Sequence, residues 1–548
     1  MDIASDLRAV FAGDIDTSDT TRELFSHDAS LFELKPQVVV APKDSHDIQQ
    51  LVKWVVAHKD DVPELSITAR SAGTDMSGGA INDSIVMDMK KYFTSIREVS
   101  ATTAHIQPGV FFRDFDAKTA EFHSLLPSYP ASRELCTLGG MISNNSGGEK
   151  SLEYGKTANY VTELQVVFAD GNEYTVAPIQ KDELVRKMSQ GDFEGNLYKQ
   201  TFELLEKNYD QIQAAKPNVS KDSTGYHLWD VWNRETGVFD LTKLIVGSQG
   251  TLGIVTDIKL RLVPRTKHSG VLVGYLKNID NLGEIINVVL KHKPATFESF
   301  DDNTLWLSFK FFFSFITRIG FWTWVRVAMQ LIPDALALVR GVPQLILMIE
   351  FTGDTVEEVE EKIDAMRSDL LGFNFTYLEK DETEKKAQKF WIMRRESFNL
   401  LRSKVKDKHT APFIDDFVVP PANLTEFLPQ LRDIIKRYKL LATIAGHMGD
   451  GNFHVIPLMK IEQPEERAKL QPAMKEVNTL VLKYGGSISG EHNDGLIRGP
   501  WLETMYGSEV FGHMKTVKSI FDANNIFNPH KKTDANWDFS FDHIRQHF

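Results

Sequence analysis

Hydrophobic and polar positions follow two rhythms in the first half of the chain. Short apolar runs bounded by Gly, Pro, Asn or Asp predict strands: QVVVAP (37–42), LSITAR (65–70), SIVMDM (84–89) and TELQVVFAD (162–170). Between the first two, DSHDIQQLVKWVVAHK (44–59) sets Ile48, Leu51, Val52 and Val55 on one face at helical spacing, with Asp44 or Ser45 able to cap it. KDELVRKMSQ (181–190) and NLYKQTFELLEKNYD (196–210) predict further helices, and residues 1–35 read as a short helical lead-in. From about residue 266 the pattern changes. VLVGYL (271–276) and LILMIEFTG (345–353) predict strands, and TVEEVEEKIDAMRSDL (355–370) predicts a helix. VPRTKH (263–268) is the expected boundary, giving an α+β chain with one domain over 36–265, a second over 266–532 and a tail over 533–548.

The segment 305–339 breaks this rhythm by packing six Phe and three Trp into a short span. Lys310, Arg318 and Arg326 interrupt it, so no uncharged run reaches the roughly 18–20 residues that cross a bilayer. At helical spacing those cations share an arc of about 160°. Such a segment is expected to lie in a membrane interface; the alternative is a buried helix of the second domain.

Length and charge narrow the classes further. A chain of 548 residues exceeds one ordinary core, and a net charge of −13 argues against nucleic acid as a partner. Cys136 is the single cysteine, which excludes an intrachain disulfide or a Cys-ligated Fe–S cluster and fits a reducing compartment. The N-terminus lacks the basic and apolar regions of a secretory signal, so a cytoplasmic location is expected.

Candidate chemistry lies in two kinds of segment. ITARSAGTDMSGGAI (67–81), CTLGGMISNNSGGEKSLEYGKT (136–157) and VGSQGTLGIVTDIKLRLVP (246–264) are rich in Gly, Ser and Asn. Small residues let backbone N–H groups approach a pyrophosphate, and three such loops suit a long cofactor. The spacing is neither that of a nicotinamide-binding Rossmann turn nor that of a P-loop. The second kind is AGHMGDGNFHVIPL (445–458), two strands about a turn that would bring His447 and His454 together. Two imidazoles there can bind zinc or manganese, or can be a satisfied pair at a strand end. In ISGEHNDG (488–495), Glu491 offers a carboxylate ligand, with His492 adjacent.

These segments together resemble the FAD-linked D-2-hydroxy acid dehydrogenases, the D-lactate, glycolate and D-2-hydroxyglutarate branch of the vanillyl-alcohol oxidase / p-cresol methylhydroxylase (PCMH) superfamily. The resemblance covers about 36–264 and 385–532, and it rests on the three loops, on HMGDGNFH and on GEH. It implies a PCMH-type FAD-binding domain of two subdomains and an α+β cap domain with an antiparallel sheet. It implies that Arg70, Ser71, Ala72, Gly73, Thr74, Ser77 and Gly78 wrap the pyrophosphate, and that Thr137, Gly140, Asn144, Ser146, Gly147, Tyr154 and Gly155 run along the FAD. Gly253 and Ile254 would stand near the adenosine and Asn528 near the flavin. Some relatives bind flavin through a His in the first loop; this loop has none, so the FAD is expected to be non-covalent.

The same resemblance makes His447, His454 and Glu491 ligands of a divalent metal and His492 the general base, with Asn452 contacting substrate or orienting a ligand. Arg394, three residues after Trp391 in KFWIMRRESFNLL (389–401), would hold the substrate carboxylate. A D-2-hydroxy acid chelated by the metal would lose its hydroxyl proton to His492 and its C2 hydrogen, as hydride, to flavin N5. The electrons would pass to a quinone, a cytochrome or an Fe–S partner. Some D-2-hydroxyglutarate enzymes carry a lysine where PFIDDFVVPP (412–421) offers Ile414, which favours D-lactate or a similar monocarboxylate. Asn493 replaces the glycine common after GEH, and DGLIRGPWL resembles a longer subfamily that often carries a fused Fe–S domain.

Overall fold

A computed structural model describes residues 2–301, 343–381, 391 and 407–546. The first sheet holds β1 (Asp14–Asp16), β2 (Val38–Ala41), β3 (Ile67–Arg70) and β4 (Ile85–Asp88) in the order β1-β2-β4-β3. The last three strands are parallel, and β1 joins β2 antiparallel. The helix Ser45–His58 covers it, capped by the Asp44 side chain, and buries Ile48, Leu51, Val52 and Val55 as their spacing predicts. The second sheet, β5 (Ile96–Val99), β6 (Thr103–Ile106), β8 (Val161–Val167), β9 (Glu173–Val176) and β13 (Ile254–Arg261), is antiparallel in the order β5-β6-β13-β8-β9. The short strand β7 (Ser124–Leu125) pairs with β14 (Val263–Pro264), and β10 (Ile179–Gln180), β11 (Trp232–Asn233) and β12 (Val238–Phe239) form a small sheet of their own.

The second domain is built on one antiparallel sheet. Its order is β18 (Phe375–Asp381), β15 (His268–Leu276), β17 (Leu345–Gly353), β16 (Thr296–Asp301), β21 (Leu441–His447), β22 (Asn452–Met459) and β19 (His409–Thr410), with β20 (Phe417–Val418) also paired to β22. Helices Leu282–Lys291, Val356–Leu370, Leu424–Arg437 and Leu470–Lys483 bury their apolar stripes in its core. Burial on this scale is the main favourable term holding the sheet and helices together.

Two expectations change. The lead-in over 1–35 is not only helical, because Asp14–Asp16 supplies an edge strand to the first sheet. Its pattern DID carries no period-2 signal, since backbone pairing to β2 rather than side-chain burial fixes it. The span 266–532 is not one packing unit. Val510, Met514, Val517 and Phe521 of the helix Leu502–Phe521 lie in the second sheet's core, while Ile526 and Phe527 lie in the first. The chain therefore leaves the first two sheets, builds the third and returns to pack against the first two.

Candidate active site

The hairpin β21–β22 sets the site. Its turn, Met448–Asp450, ends at Gly451, whose φ of 67° and a phantom Cβ 1.8 Å from the Val419 carbonyl admit no other residue. The register opposes His447 to Asn452 and Ala445 to His454, so both imidazoles stand on one face, two positions apart. Their ring centroids are 5.4 Å apart. His447 Nδ1 meets Glu298 Oε1 at 2.6 Å, and its Nε2 lies 3.1 Å from Glu491 Oε1. Ligand atoms of His447, His454 and Glu491 all lie within 4.8 Å of one another.

The GEH segment is held by the carboxylate of Asp416. It accepts hydrogen bonds from the backbone N–H groups of Glu491 and His492, from Ser489 Oγ and from Asn452 Nδ2. Gly490 is required there because a Cβ would lie 2.7 Å from Asn452 Nδ2. Asn452 is fully buried and also donates to the Phe417 carbonyl, so it acts through the loop that carries Glu491 and His492.

Neighbouring Asp415 is fully buried and touches two imidazoles at once. Its Oδ1 is 3.1 Å from His454 Nδ1 and its Oδ2 is 2.7 Å from His492 Nδ1. The rings of His454 and His492 stack with centroids 5.0 Å apart. Burial opposes charge on His492, but Asp416 and Asp415 outweigh it and hold the imidazole up at about 9. His447 is likewise pushed down by burial and lifted to about 9 chiefly by Glu298.

Four contributors escaped the sequence reading: Glu298, Asp415, Asp416 and Lys221. The two aspartates were visible as a pair in PFIDDFVVPP, and Glu298 as one of two acids in the strand TFESFD. Lys221 had no signal. Its ammonium is fully buried, 2.5 Å from Glu491 Oε1, 3.1 Å from Asp450 Oδ2 and 3.0 Å from the Gly148 carbonyl.

The three glycine-rich loops converge beside this cluster. A cleft is lined by Ser71 of the first loop, Gly139 and Ser143 of the second, and Ser248, Gly250, Gly253 and Ile254 of the third. Gly250, at φ 69°, has nothing within 4 Å of a phantom Cβ. A wall of backbone and small side chains with room beyond it fits an extended dinucleotide such as FAD. The loops are tied together by Asn144, which donates to Asp75 Oδ1 at 2.8 Å and accepts from Gln249 at 3.3 Å. Gly73, Gly78 and Gly155 take positive φ, and Thr137 caps the short helix Leu138–Asn144 that carries Gly140. Gly147 brings the second loop to the metal cluster, since a Cβ there would lie 3.6 Å from Glu491 Cγ.

Several expected cofactor residues are engaged with protein. Arg70 donates to the carbonyls of Phe25, His27 and Ala80, which places its guanidinium behind the first loop. Ser77 Oγ bonds Asp75, and the Tyr154 carbonyl accepts from the Tyr160 hydroxyl. Asn528 accepts from Thr68 Oγ1 and donates to the carbonyls of Gly79 and Gln249, so it clamps the first loop to the third. Ala72, Thr74 and Ser146 lie in or beside these same turns. Asn493 adopts φ 67° and donates to the carbonyls of Asn144 and Gly247, so its side chain ties the loops together. Arg394, Arg395 and the aromatic segment 305–339 lie outside the described residues. Among the described residues no helix is long and apolar enough to cross a membrane.

The chain matches the family described as FAD linked oxidases, C-terminal domain, over residues 267–532, and the FAD binding domain family over 36–177. It is 27% identical to a D-2-hydroxyglutarate dehydrogenase of Pseudomonas putida over 95% of this chain and 50% of that protein. It is 28% identical to the glycolate oxidase subunit GlcD of Bacillus subtilis (94% and 93% covered) and 26% identical to a D-lactate dehydrogenase of Archaeoglobus fulgidus (90% and 90%). The chain thus spans about half the length of the D-2-hydroxyglutarate dehydrogenases it matches. Among solved structures, p-cresol methylhydroxylase with substrate bound superposes with a TM-score of 0.65 at 14% identity, covering 96% of this chain and 95% of that one, which shows the PCMH-type fold. Two matched domains in the expected order and on the expected fold make this chain an FAD-linked oxidase by domain composition, similar over most of its length to D-2-hydroxyglutarate and D-lactate dehydrogenases.

Proposed function

We propose that the chain oxidises D-lactate, or a similar small D-2-hydroxy acid, to the 2-oxo acid, using non-covalent FAD and a divalent zinc or manganese ion. The observation that carries this reading is the meeting of His447, His454, Glu491 and His492 beside the glycine-lined cleft. His447 and His454 direct their Nδ1 atoms at Glu298 and Asp415, leaving both Nε2 atoms and the Glu491 carboxylate to hold the ion. FAD bound along the loops supplies a two-electron acceptor, and the ion supplies the positive charge that acidifies the substrate hydroxyl. His492 then takes the hydroxyl proton at Nε2, while Asp415 keeps its other nitrogen hydrogen-bonded and stabilises the imidazolium. A divalent cation held by His447, His454 and Glu491 would oppose protonation of His492 and favour its neutral, base-competent form. Arg394 holds the substrate carboxylate, and Asn452 and Asp416 fix the loop bearing the base.

Electrons pass to a quinone, a cytochrome or an Fe–S protein. The segment 305–339 would rest the chain on the inner face of the membrane, and no nucleic acid is involved. A second reading, oxidation of D-2-hydroxyglutarate, draws on the similarity to a dehydrogenase of that name; Ile414, at the place where a distal-carboxylate lysine is expected, weighs against it. Glycolate oxidation, or a non-catalytic flavin-binding role in a glycolate oxidase-like complex, is a further alternative. Anaerobic bleaching of the flavin spectrum by a panel of D- and L-hydroxy acids separates these. D-Lactate is expected to bleach fastest; bleaching by D-2-hydroxyglutarate alone favours the second reading, and none by any acid refutes catalysis. His492→Ala should keep FAD and abolish turnover; unchanged turnover removes His492 as the base.

A further inference from the structure

The geometry points to Asp415 as a positioning residue that locks the tautomers of two histidines with one carboxylate, coupling the proposed metal ligand His454 to the proposed base His492. This rests on the metal–base reading above and deepens it, by making a single carboxylate answerable for the proton positions of both rings. Asp415 is 2% exposed and gives one oxygen to each ring, Oδ1 to His454 Nδ1 and Oδ2 to His492 Nδ1. An ionised carboxylate only accepts, so both Nδ1 atoms must carry hydrogen when they bond to it. Each neutral ring is then forced to present a bare Nε2. That lone pair is what a metal ligand must offer, and it is also what a general base must offer.

The carboxylate is itself held in place. Arg498 is buried, donating to the Asp415 carbonyl at 2.8 Å and to the Asn493 carbonyl at 2.9 Å, with its guanidinium 4.0 Å from Asp415 Oδ2. Asp416, next in the chain at φ 68°, takes the backbone N–H groups of Glu491 and His492. The aspartate pair thus splits its work: Asp416 fixes the backbone of the GEH segment, and Asp415 fixes the ring protons. The stacked rings of His454 and His492 follow from sharing one acceptor.

The consequence is chemical rather than steric, and isosteric replacement exposes it. In Asp415→Asn one oxygen becomes an NH₂ group, a donor. The ring facing it must then present Nδ1 as acceptor and carry its hydrogen on Nε2. If that ring is His454 the metal loses a ligand; if it is His492 the substrate loses its base. Asp415→Ala removes the constraint and lets water satisfy either tautomer. The expected order of damage is therefore Asn worse than Ala, the reverse of what a space-filling role predicts.

The test uses the FAD-loaded full chain and measures bound Zn²⁺ or Mn²⁺ by elemental analysis, metal affinity by competition with a chelator, and turnover at saturating metal. For Asp415→Asn, metal affinity or metal-saturated turnover should fall at least about tenfold, with flavin content unchanged. Asp415→Ala should lose less. In the metal-loaded protein, histidine ¹⁵N chemical shifts, assigned with His454→Ala and His492→Ala, should show one Nε2–H ring in Asp415→Asn and none in the parent. Asp415→Ala being the worse variant, or both rings keeping Nδ1–H in Asp415→Asn, would overturn the lock. The two histidine variants also report on the underlying reading. If His454→Ala keeps full metal and His492→Ala full turnover, the metal–base assignment fails; if both are impaired while Asp415→Asn is normal, only the lock fails.

Discussion

Lys221→Met gives the most direct test of how the site holds its charges. The Lys221 ammonium is wholly buried between Glu491 Oε1 at 2.5 Å and Asp450 Oδ2 at 3.1 Å. At an effective dielectric near 20, each contact is worth roughly 5–7 kcal/mol before desolvation is subtracted. Burying three charged groups cancels much of that gain, but removing one leaves the others stranded, at a cost of about 3–5 kcal/mol. Methionine fills nearly the same volume, so little of the loss would come from a cavity. Glu491 retains His447 Nε2 at 3.1 Å, and Asp450 retains Ser220 Oγ at 2.7 Å, which sets the expectation at the lower end. In the proposed metal site Lys221 would compete with the ion for the same Glu491 oxygen. Saturating Zn²⁺ or Mn²⁺ should therefore recover more stability in the variant than in the parent, and by linkage the variant should bind metal more tightly. Guanidinium denaturation followed by tryptophan fluorescence, with chelator and with metal, measures both effects. A loss below about 1 kcal/mol in chelator, or an identical response to metal in the two proteins, would refute the reasoning.

Asp222 accepts hydrogen bonds from Ser487 and Thr224 and lies against His227; burial pushes its carboxyl up, but these partners outweigh it and hold it at about 2. A depressed carboxylate stabilises the fold above its ordinary value and loses that contribution as pH falls through the folded value. Asp222→Asn should thus cost about 2 kcal/mol at neutral pH. The gap to the parent should close between about pH 4 and pH 2; a pH-independent gap in denaturation midpoints would contradict this. Gly253→Ala puts a Cβ 2.8 Å from Val166 Cγ1 at φ 157°, on the cleft wall. It should lower the flavin-to-protein absorbance ratio, and a full complement of FAD would argue that the cleft is not the cofactor path. Dialysis against EDTA should abolish turnover and leave flavin absorbance intact, with Zn²⁺ or Mn²⁺ restoring activity; metal-free protein of full activity would remove the metal from the mechanism.

Local chemistry made much of the fold and site legible before any coordinates. The short apolar runs at 37–42, 65–70 and 84–89 are strands buried on both faces, and Asp44 caps the helix between the first two. The hairpin about Gly451 was readable because a short turn fixes register, and register places His447 and His454 on one face. Gly490, Glu491 and His492 were readable as residue types suited to a metal and a base.

Only the tertiary structure decided the rest. Glu298, Asp415 and Lys221 come from segments far apart in sequence, and no local period marks a charged side chain that will be buried against another. The return of 502–528 into the first two cores was hidden for the same reason, since an amphipathic helix states that it has a partner without naming it. Sequence sets what each segment can bond to; long-range packing selects the partner, because burial makes an unpaired charge or apolar face costly only once the distant segment has arrived.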